Sequence, residues 1–421
     1  MHDFLQSKNM EIEQLYTPLW QTLLPALVAL VTVRWFYFKI LRIAKAKNLV
    51  DSPDARKLQT EPVPVMGGIA VFFGVVCGVL VGSMLVDATC LLPAVLGMVV
   101  LLYFGAMDDI VGMSQLSRLV AETLVIIGLI FASGKCVDSL HGLWGINQLS
   151  WWMAVPLTVF ACVGVINAMN MIDGVNGLSS GLCLTCAGLF GVVFLRQGDI
   201  ANAMLAFAMM AALVPFLLHN VFGKSSRMFI GDAGTMIMGA LMSWFMITLL
   251  SADGATIDNR LNPVALALAI LALPVFDTLR VMMQRLLHGI SPFRADKTHL
   301  HHAFIEVGMS HSITALSEIM IDALIVLCWF IAYRLGASVD AQFYIVFATA
   351  ILFVWGTYAL LWFGSKDNAW GRWLRTIMPH THLGHTPWWL KIQAYMDAPE
   401  TATPLTQRFR KQKFNQAENK K

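Results

Sequence analysis

From Leu19 to Phe363 the chain repeats one pattern: a run of about twenty apolar residues, then a short polar interruption. Wound as helices, runs of that length match the hydrocarbon thickness of a bilayer. Inside lipid every backbone N–H and C=O must find its partner within the protein, which leaves only helices and closed barrels. Barrel strands alternate apolar and polar residues, and no such alternation is visible. The reading is an all-α polytopic membrane protein of about eleven transmembrane helices, at 19–41, 67–86, 91–107, 119–132, 152–168, 178–196, 201–218, 235–251, 262–279, 316–333 and 342–363. A composition of 57% hydrophobic and 13% charged residues excludes an ordinary soluble domain.

The segments divide into an external stretch 1–18, a membrane domain 19–363 and a cytoplasmic tail 364–421. Orientation follows from the basic residues. Loops after spans one, three, five, seven and nine hold Arg42, Lys45, Lys47, Arg56, Lys57, Arg118, Lys224, Arg227, Arg280, Arg285, Arg294 and Lys297, whereas the other loops hold only Lys135, Arg196, Arg260 and Arg334. The richer set is expected on the cytoplasmic side. A net charge of +3, scattered over loops, offers no nucleic-acid face. The seven cysteines lie mostly inside apolar runs and read as small buried residues. No cleavable signal is expected, since Glu11 and Glu13 precede a long first run. Residues 136–150 suggest a small hairpin on the far side, Trp370, Trp373, Trp388 and Trp389 suggest amphipathic pieces lying in the membrane interface, and 408–421 reads as disordered.

Four polar clusters interrupt the apolar pattern: Asp108-Asp109; Asn167, Asn170, Asp173, Gly174, Asn176 and Gly177; Gly231-Asp232-Ala233-Gly234-Thr235; and His299, His301 and His302. Each is separated from the next by room for two crossings, so all four return to the same face, the one the basic residues mark as cytoplasmic. Adjacent carboxylates at a membrane boundary need a cation, a basic partner or a raised pKa; the plainer alternative is a polar turn at the interface. Asn167, Asn170 and Asp173 are spaced to share a broad helix face. Gly174 is suited to a left-handed helix end and Gly177 to close approach of a ligand. Gly231 and Asp232 open a span, where free N–H donors favour phosphate. A carboxylate there requires a divalent cation between it and the phosphate; simple capping is the alternative. The histidines follow Arg294 and Lys297, which favours polyphosphate over zinc or a solvated loop. Asp277 reads equally as an ion-pair member or a catalytic group, and Arg56 and Lys57 as phosphate or membrane-lipid contacts.

Together MetGly67Gly68, Asp108-Asp109, NAMNMIDGVNGL, MFIGDAGT and SPFRADKTHLHHAFIEVG, in this order over residues 50–308, resemble the polyprenyl-phosphate N-acetylhexosamine-1-phosphate transferase family. The His-x-His-His form is similar to its bacterial undecaprenyl-phosphate GlcNAc-1-phosphate branch. The resemblance implies transfer of GlcNAc-1-phosphate from UDP-GlcNAc to undecaprenyl phosphate, with UMP released, in the bacterial inner membrane. Such a step initiates O-antigen, lipopolysaccharide or other envelope glycans. Carried over by residue, it implies Mg²⁺, or Mn²⁺, on Asp232 with Asn170, and catalytic roles for Asp108, Asp109, Asp173, His299, His301 and His302. Substrate contacts are implied for Arg56, Lys57, Asn167, Asn176, Asn220, Phe229, Arg294 and Lys297, and a homodimer as one assembly. Asn176 stands where the family often has Asp, Gly112 where several members have an acid, and Thr235 where Ser is usual. A direct in-line displacement and a two-step aspartyl-phosphate route both remain open. So does a sibling transferase using another UDP-N-acetylhexosamine or UDP-MurNAc-pentapeptide. A transporter is the reading from a different class, opposed by span interiors that read as almost free of charge.

Overall fold

The computed structural model describes residues 2–51, 61–252, 258, 260–292 and 297–401. Arg56, Lys57, Arg294 and the stretch 408–421 therefore lie outside the described residues. The helices are α1 (His2–Ala46), α2 (Gly67–Gly82), α3 (Leu92–Val111), α4 (Gln115–Ser133), α5 (Trp151–Met171), α6 (Leu178–Gln197), α7 (Ile200–Phe222) and α8 (Gly231–Leu250). They continue as α9 (Pro263–Ile270), α10 (Ala272–Leu287), α11 (Leu300–Glu306), α12 (His311–Arg334), α13 (Val339–Ala350), α14 (Gly356–Ser365), α15 (Ala369–Ile377) and α16 (Pro387–Thr401). A two-residue antiparallel pair, β1 (Val50–Asp51) and β2 (Val63–Pro64), sets Val50 opposite Pro64.

Among the described residues nine helical segments are long and apolar enough to cross a bilayer, counting α13 and α14 as one. The pair α9 and α10, bent by 76°, is long and apolar enough for a tenth when taken as one span, and α2 is an apolar helix of 16 residues. These match the eleven expected runs one for one. The 136–150 segment is a hairpin, with Leu140 N–H donating to the Asn147 carbonyl at 3.0 Å and Leu149 N–H to Asp138 at 2.8 Å.

The bundle is built around α8, which is buried from Ala233 to Leu250 and packs on α2, α3 and α5. Lipid gives helices no hydrophobic reason to associate, so close van der Waals packing of small residues has to hold them together. Gly68 and Gly234 meet backbone to backbone; a Cβ on Gly68 would overlap the Gly234 main chain. That contact ties the start of α2 to the start of α8.

The break between α9 and α10 has a chemical cause. Pro274 has no N–H, so the Ile270 carbonyl loses its helical donor, and the Cys186 thiol donates to it at 3.0 Å. Leu273 N–H, freed by the same distortion, donates to Asp322 Oδ1 at 2.9 Å. Cys186 thus does more than fill space. Two sequence expectations are corrected here and nearby. Span interiors are not nearly free of ionisable groups: Glu122 on α4 and Glu318 and Asp322 on α12 are buried carboxyl groups. They escaped notice because single acids inside long apolar runs barely change the hydropathy of the run.

Candidate active site

The site lies where α3 and α5 end and α4, α8 and α11 begin. Asp109 turns back from the end of α3 and accepts the Asp232 N–H at 2.8 Å and the Ala233 N–H at 3.1 Å. It therefore caps α8, meeting two of the donors that every helix start leaves unpaired. The first turn of α8, expected as an open phosphate cradle, is filled at these two donors by a carboxylate from another helix. Asp108 accepts the Met113 N–H at 2.7 Å, and its Oδ2 lies 2.6 Å from Arg118 Nη2. The same guanidinium places Nη1 3.4 Å from Asp232 Oδ1. Adjacent carboxylates coexist here because Asp108 has a guanidinium and Asp109 has backbone donors.

The polar residues closing α5 diverge to different partners. Asn167 donates to Glu122 and to the Val163 carbonyl. Asn170 Nδ2 donates to Asp232 Oδ1 at 2.6 Å and to Thr235 Oγ1 at 2.9 Å, tying the end of α5 to the first turn of α8. Asp173, past the helix end, accepts the Ser179 hydroxyl. The two glycines exchange their expected roles. Gly177 adopts the left-handed conformation, with φ 85°. Gly174 is the point of close approach: a Cβ there would lie 2.9 Å from His301 Cδ2 and nearer still to Nε2. That contact brings the α5 end and the histidine loop together.

The histidine loop is anchored from α10. Asp277 accepts from Arg280 Nη2 at 2.7 Å through Oδ1, while Oδ2 lies 2.8 Å from His299 Nδ1; the Leu300 N–H also points at this carboxylate. Arg280 in turn donates to the Thr298 carbonyl and lies 3.5 Å above the Tyr358 ring. His299 precedes α11, and the rings of His299, His301 and His302 follow in sequence, with centroids 5.7 and 4.4 Å apart. Burial pushes the His301 imidazole well below its ordinary value, reinforced by its neighbours His302 and His299. The Asp173 carboxyl is raised to about 6 by desolvation, with Asp232 and Asp51 adding in the same direction against the Ser179 hydroxyl.

Asn220 spends its amide on two loops, accepting the Gly177 N–H at 2.7 Å and donating to the Met228 carbonyl at 3.0 Å. Phe229 pairs with the chain before α2, its N–H donating to Pro64 and its carbonyl accepting from Gly67. Asn176 is half-buried in the turn before α6, and Lys297 is exposed just ahead of His299. Among the described residues no three His, Cys, Asp or Glu side chains form a preassembled metal cage. What the site offers instead is a partly exposed carboxylate, Asp232, with the Asn170 amide against it. The carboxylate suits Mg²⁺, which binds through one or two carboxylates and completes its shell with water and substrate phosphates, whereas Asn170 presents its NH2 group here and would have to turn its amide oxygen to the ion to join it. Sequence reasoning missed Arg118 and Glu122 as site residues. Arg118 had been counted only for topology; Glu122 carried a usable signal, an acid inside an apolar run.

Acids gathered around a guanidinium, with amides and a histidine loop packed beside them at one end of a membrane bundle, are the parts of an integral-membrane group-transfer enzyme. Residues 91–250 match the profile of glycosyl transferase family 4. The undecaprenyl-phosphate alpha-N-acetylglucosaminyl 1-phosphate transferase of Yersinia pestis is 32% identical over 282 residues, 65% of this chain and 74% of that protein. The protein of the same name from Escherichia coli (strain K12) is 33% identical over the same shares. A probable undecaprenyl-phosphate N-acetylglucosaminyl 1-phosphate transferase of Bacillus subtilis (strain 168) is 32% identical over 69% of this chain and 79% of its own. The chain belongs to glycosyl transferase family 4.

Proposed function

We propose that the protein transfers GlcNAc-1-phosphate from UDP-GlcNAc to undecaprenyl phosphate at the cytoplasmic face of a bacterial inner membrane. The observation carrying this reading is the convergence of Asp108, Asp109, Asn170, Asp173, Asp232 and His301 at one end of the bundle, alongside relatives that bear this activity in their names. A lipid phosphate oxygen attacks the β-phosphorus; the bond from that phosphorus to the bridging oxygen breaks, and UMP departs with the electron pair.

Bringing two anions together is the main barrier, and positive charge is what lowers it. Arg118 neutralises Asp108 and reaches Asp232. Mg²⁺, or Mn²⁺, held by Asp232, with Asn170 as second ligand once its amide oxygen turns to the ion, would supply the remaining charge at the diphosphate. A phosphate monoester has a second pKa of about 6, so the acceptor is largely dianionic at neutral pH and needs little help from a base. His302 offers its ring to diphosphate or sugar, while the buried His301, set against Gly174, holds the histidine loop to the end of α5, and Asp173 faces the same space.

Purified protein in lipid should release UMP from UDP-GlcNAc only when undecaprenyl phosphate and Mg²⁺ are both present. Chelation should abolish the release and Mg²⁺ restore it. Asp232→Asn, which keeps an acceptor for Asn170, should lose activity while staying folded; full activity at saturating Mg²⁺ would reject its role. A panel of UDP-sugars tests the donor. The transporter reading draws its support from the bent span and from Glu318, whose Oε1 is buried without a hydrogen bond; solute flux without UMP release would favour it.

A further inference from the structure

Between α7 and α8 the chain turns through Lys224, Ser225 and Ser226, and their three backbone N–H groups converge on one spot. The Asp397 carboxylate of α16 fills it. Oδ1 accepts from Ser226 N at 2.9 Å, Ser226 Oγ at 2.7 Å and Lys224 N at 3.2 Å, and Oδ2 accepts from Lys224 N at 3.2 Å and Ser225 N at 3.3 Å. Successive N–H groups arranged this way make a nest, a concavity built for anions. Its carbonyls are tied off behind: Tyr37 Oη donates to Ser226 O at 2.8 Å and Lys45 Nζ to Ser225 O at 2.6 Å.

Three features point beyond a simple brace for the tail. Four donors serve only two oxygens, and three of the five contacts are 3.2 Å or longer; a tetrahedral phosphate would give each donor its own acceptor. Arg227 follows the nest with a buried Nε that has no hydrogen bond, and Asp397 lies within its electrostatic reach. Finally, α16 meets α7 through Trp389, whose ring centroid lies 4.6 Å from that of Phe222, while Trp388, Leu390 and Tyr395 face away from the protein. Burial works against ionisation of Asp397, yet the hydrogen bonds from Ser226, Ser225 and Lys224 outweigh it and hold the carboxyl below its ordinary value.

We propose that this nest, with Arg227, is a second anion site of phosphate class, which the chain fills with its own Asp397 and from which phosphate displaces α16. The site is separate from the proposed reaction and is tested by binding. Full-length protein in phosphatidylcholine nanodiscs is titrated calorimetrically with inorganic phosphate as wild type, Asp397→Ala, Asp397→Asn and Asp397→Ala/Ser226→Ala. Both single variants should bind one phosphate at least about tenfold more tightly than wild type, and the double variant several-fold more weakly than Asp397→Ala. Phosphate should also speed tryptic cleavage at Lys391 in the wild type. Repeating the titration in nanodiscs containing phosphatidic acid separates the sources: a site already saturated there takes a lipid headgroup, and one still titratable takes free phosphate. Equal phosphate affinity in wild type and both single variants, with Lys391 cleavage unchanged, overturns the proposal.

Discussion

Gly174→Ala tests the contact that joins two polar clusters of the site. The added methyl would sit 2.9 Å from His301 Cδ2 and 3.1 Å from Cε1, inside the 3.4 Å at which ordinary carbon contacts begin, and closest to Nε2. His301 is 1% exposed, stacked on His299 and flanked by the tilted ring of His302, so it has no room to swing away. Overpacking of this kind costs about 1–3 kcal/mol. Relief by displacement would move the imidazole by a sizeable fraction of an ångström, and misplacements near 1 Å cost about 10²-fold in rate. The assay is a double-mutant cycle, with thermal unfolding in lipid and UMP release followed for Gly174→Ala, His301→Ala and the pair. Removing the ring should give back most of the stability lost to the methyl, leaving a coupling above about 1 kcal/mol, while activity stays low. Additive stabilities, or a Gly174→Ala enzyme with full activity, would show that His301 does not pack on Gly174.

Asp277→Ala strips the anchor from His299 and leaves the Arg280 guanidinium buried without its carboxylate; a loss of about 3–5 kcal/mol is expected, read by thermal unfolding, with Asp277→Asn intermediate. The Asp173 carboxyl, raised to about 6 in the folded protein from 3.8, holds its proton more tightly when folded. Its contribution to stability therefore declines as pH rises from about 4 to about 6 and is level above that. If the carboxylate form is the active one, UMP release should fall as pH drops through about 6, and Asp173→Asn should show a shallower limb, keeping only the part due to the lipid phosphate, whose second pKa is also about 6. Glu122→Gln keeps an acceptor for Asn167 and should cost little stability, whereas Glu122→Ala leaves the Asn167 amide short of a buried partner, at about 1–3 kcal/mol.

Much of the architecture was legible because its causes are local. Run length marks the spans, and an even number of crossings between Asp108-Asp109, Asn170, Asp232 and His301 places them at one end. What the chain does not display is the choice of neighbour. Periodicity puts Asn167, Asn170 and Asp173 near one face, but α4, α8 and Ser179 draw them to separate partners. Gly174 and Gly177 both announce special backbone, yet the sequence does not show that His301 approaches the first while the second turns left-handed against Val221. Arg118 reads as one basic loop residue among many until Asp108 and Asp232 close around it.

The bend at Leu271 carries a lesson for genetics. The limb beyond it holds Asp277, and Asp277 holds the histidines, so the orientation of the reacting groups depends on Pro274, Cys186 and Asp322, near the break and away from any substrate. Lesions at those three positions would look, in a screen for lost turnover, like defects in catalysis. Their origin would be mechanical, a strut set at the wrong angle.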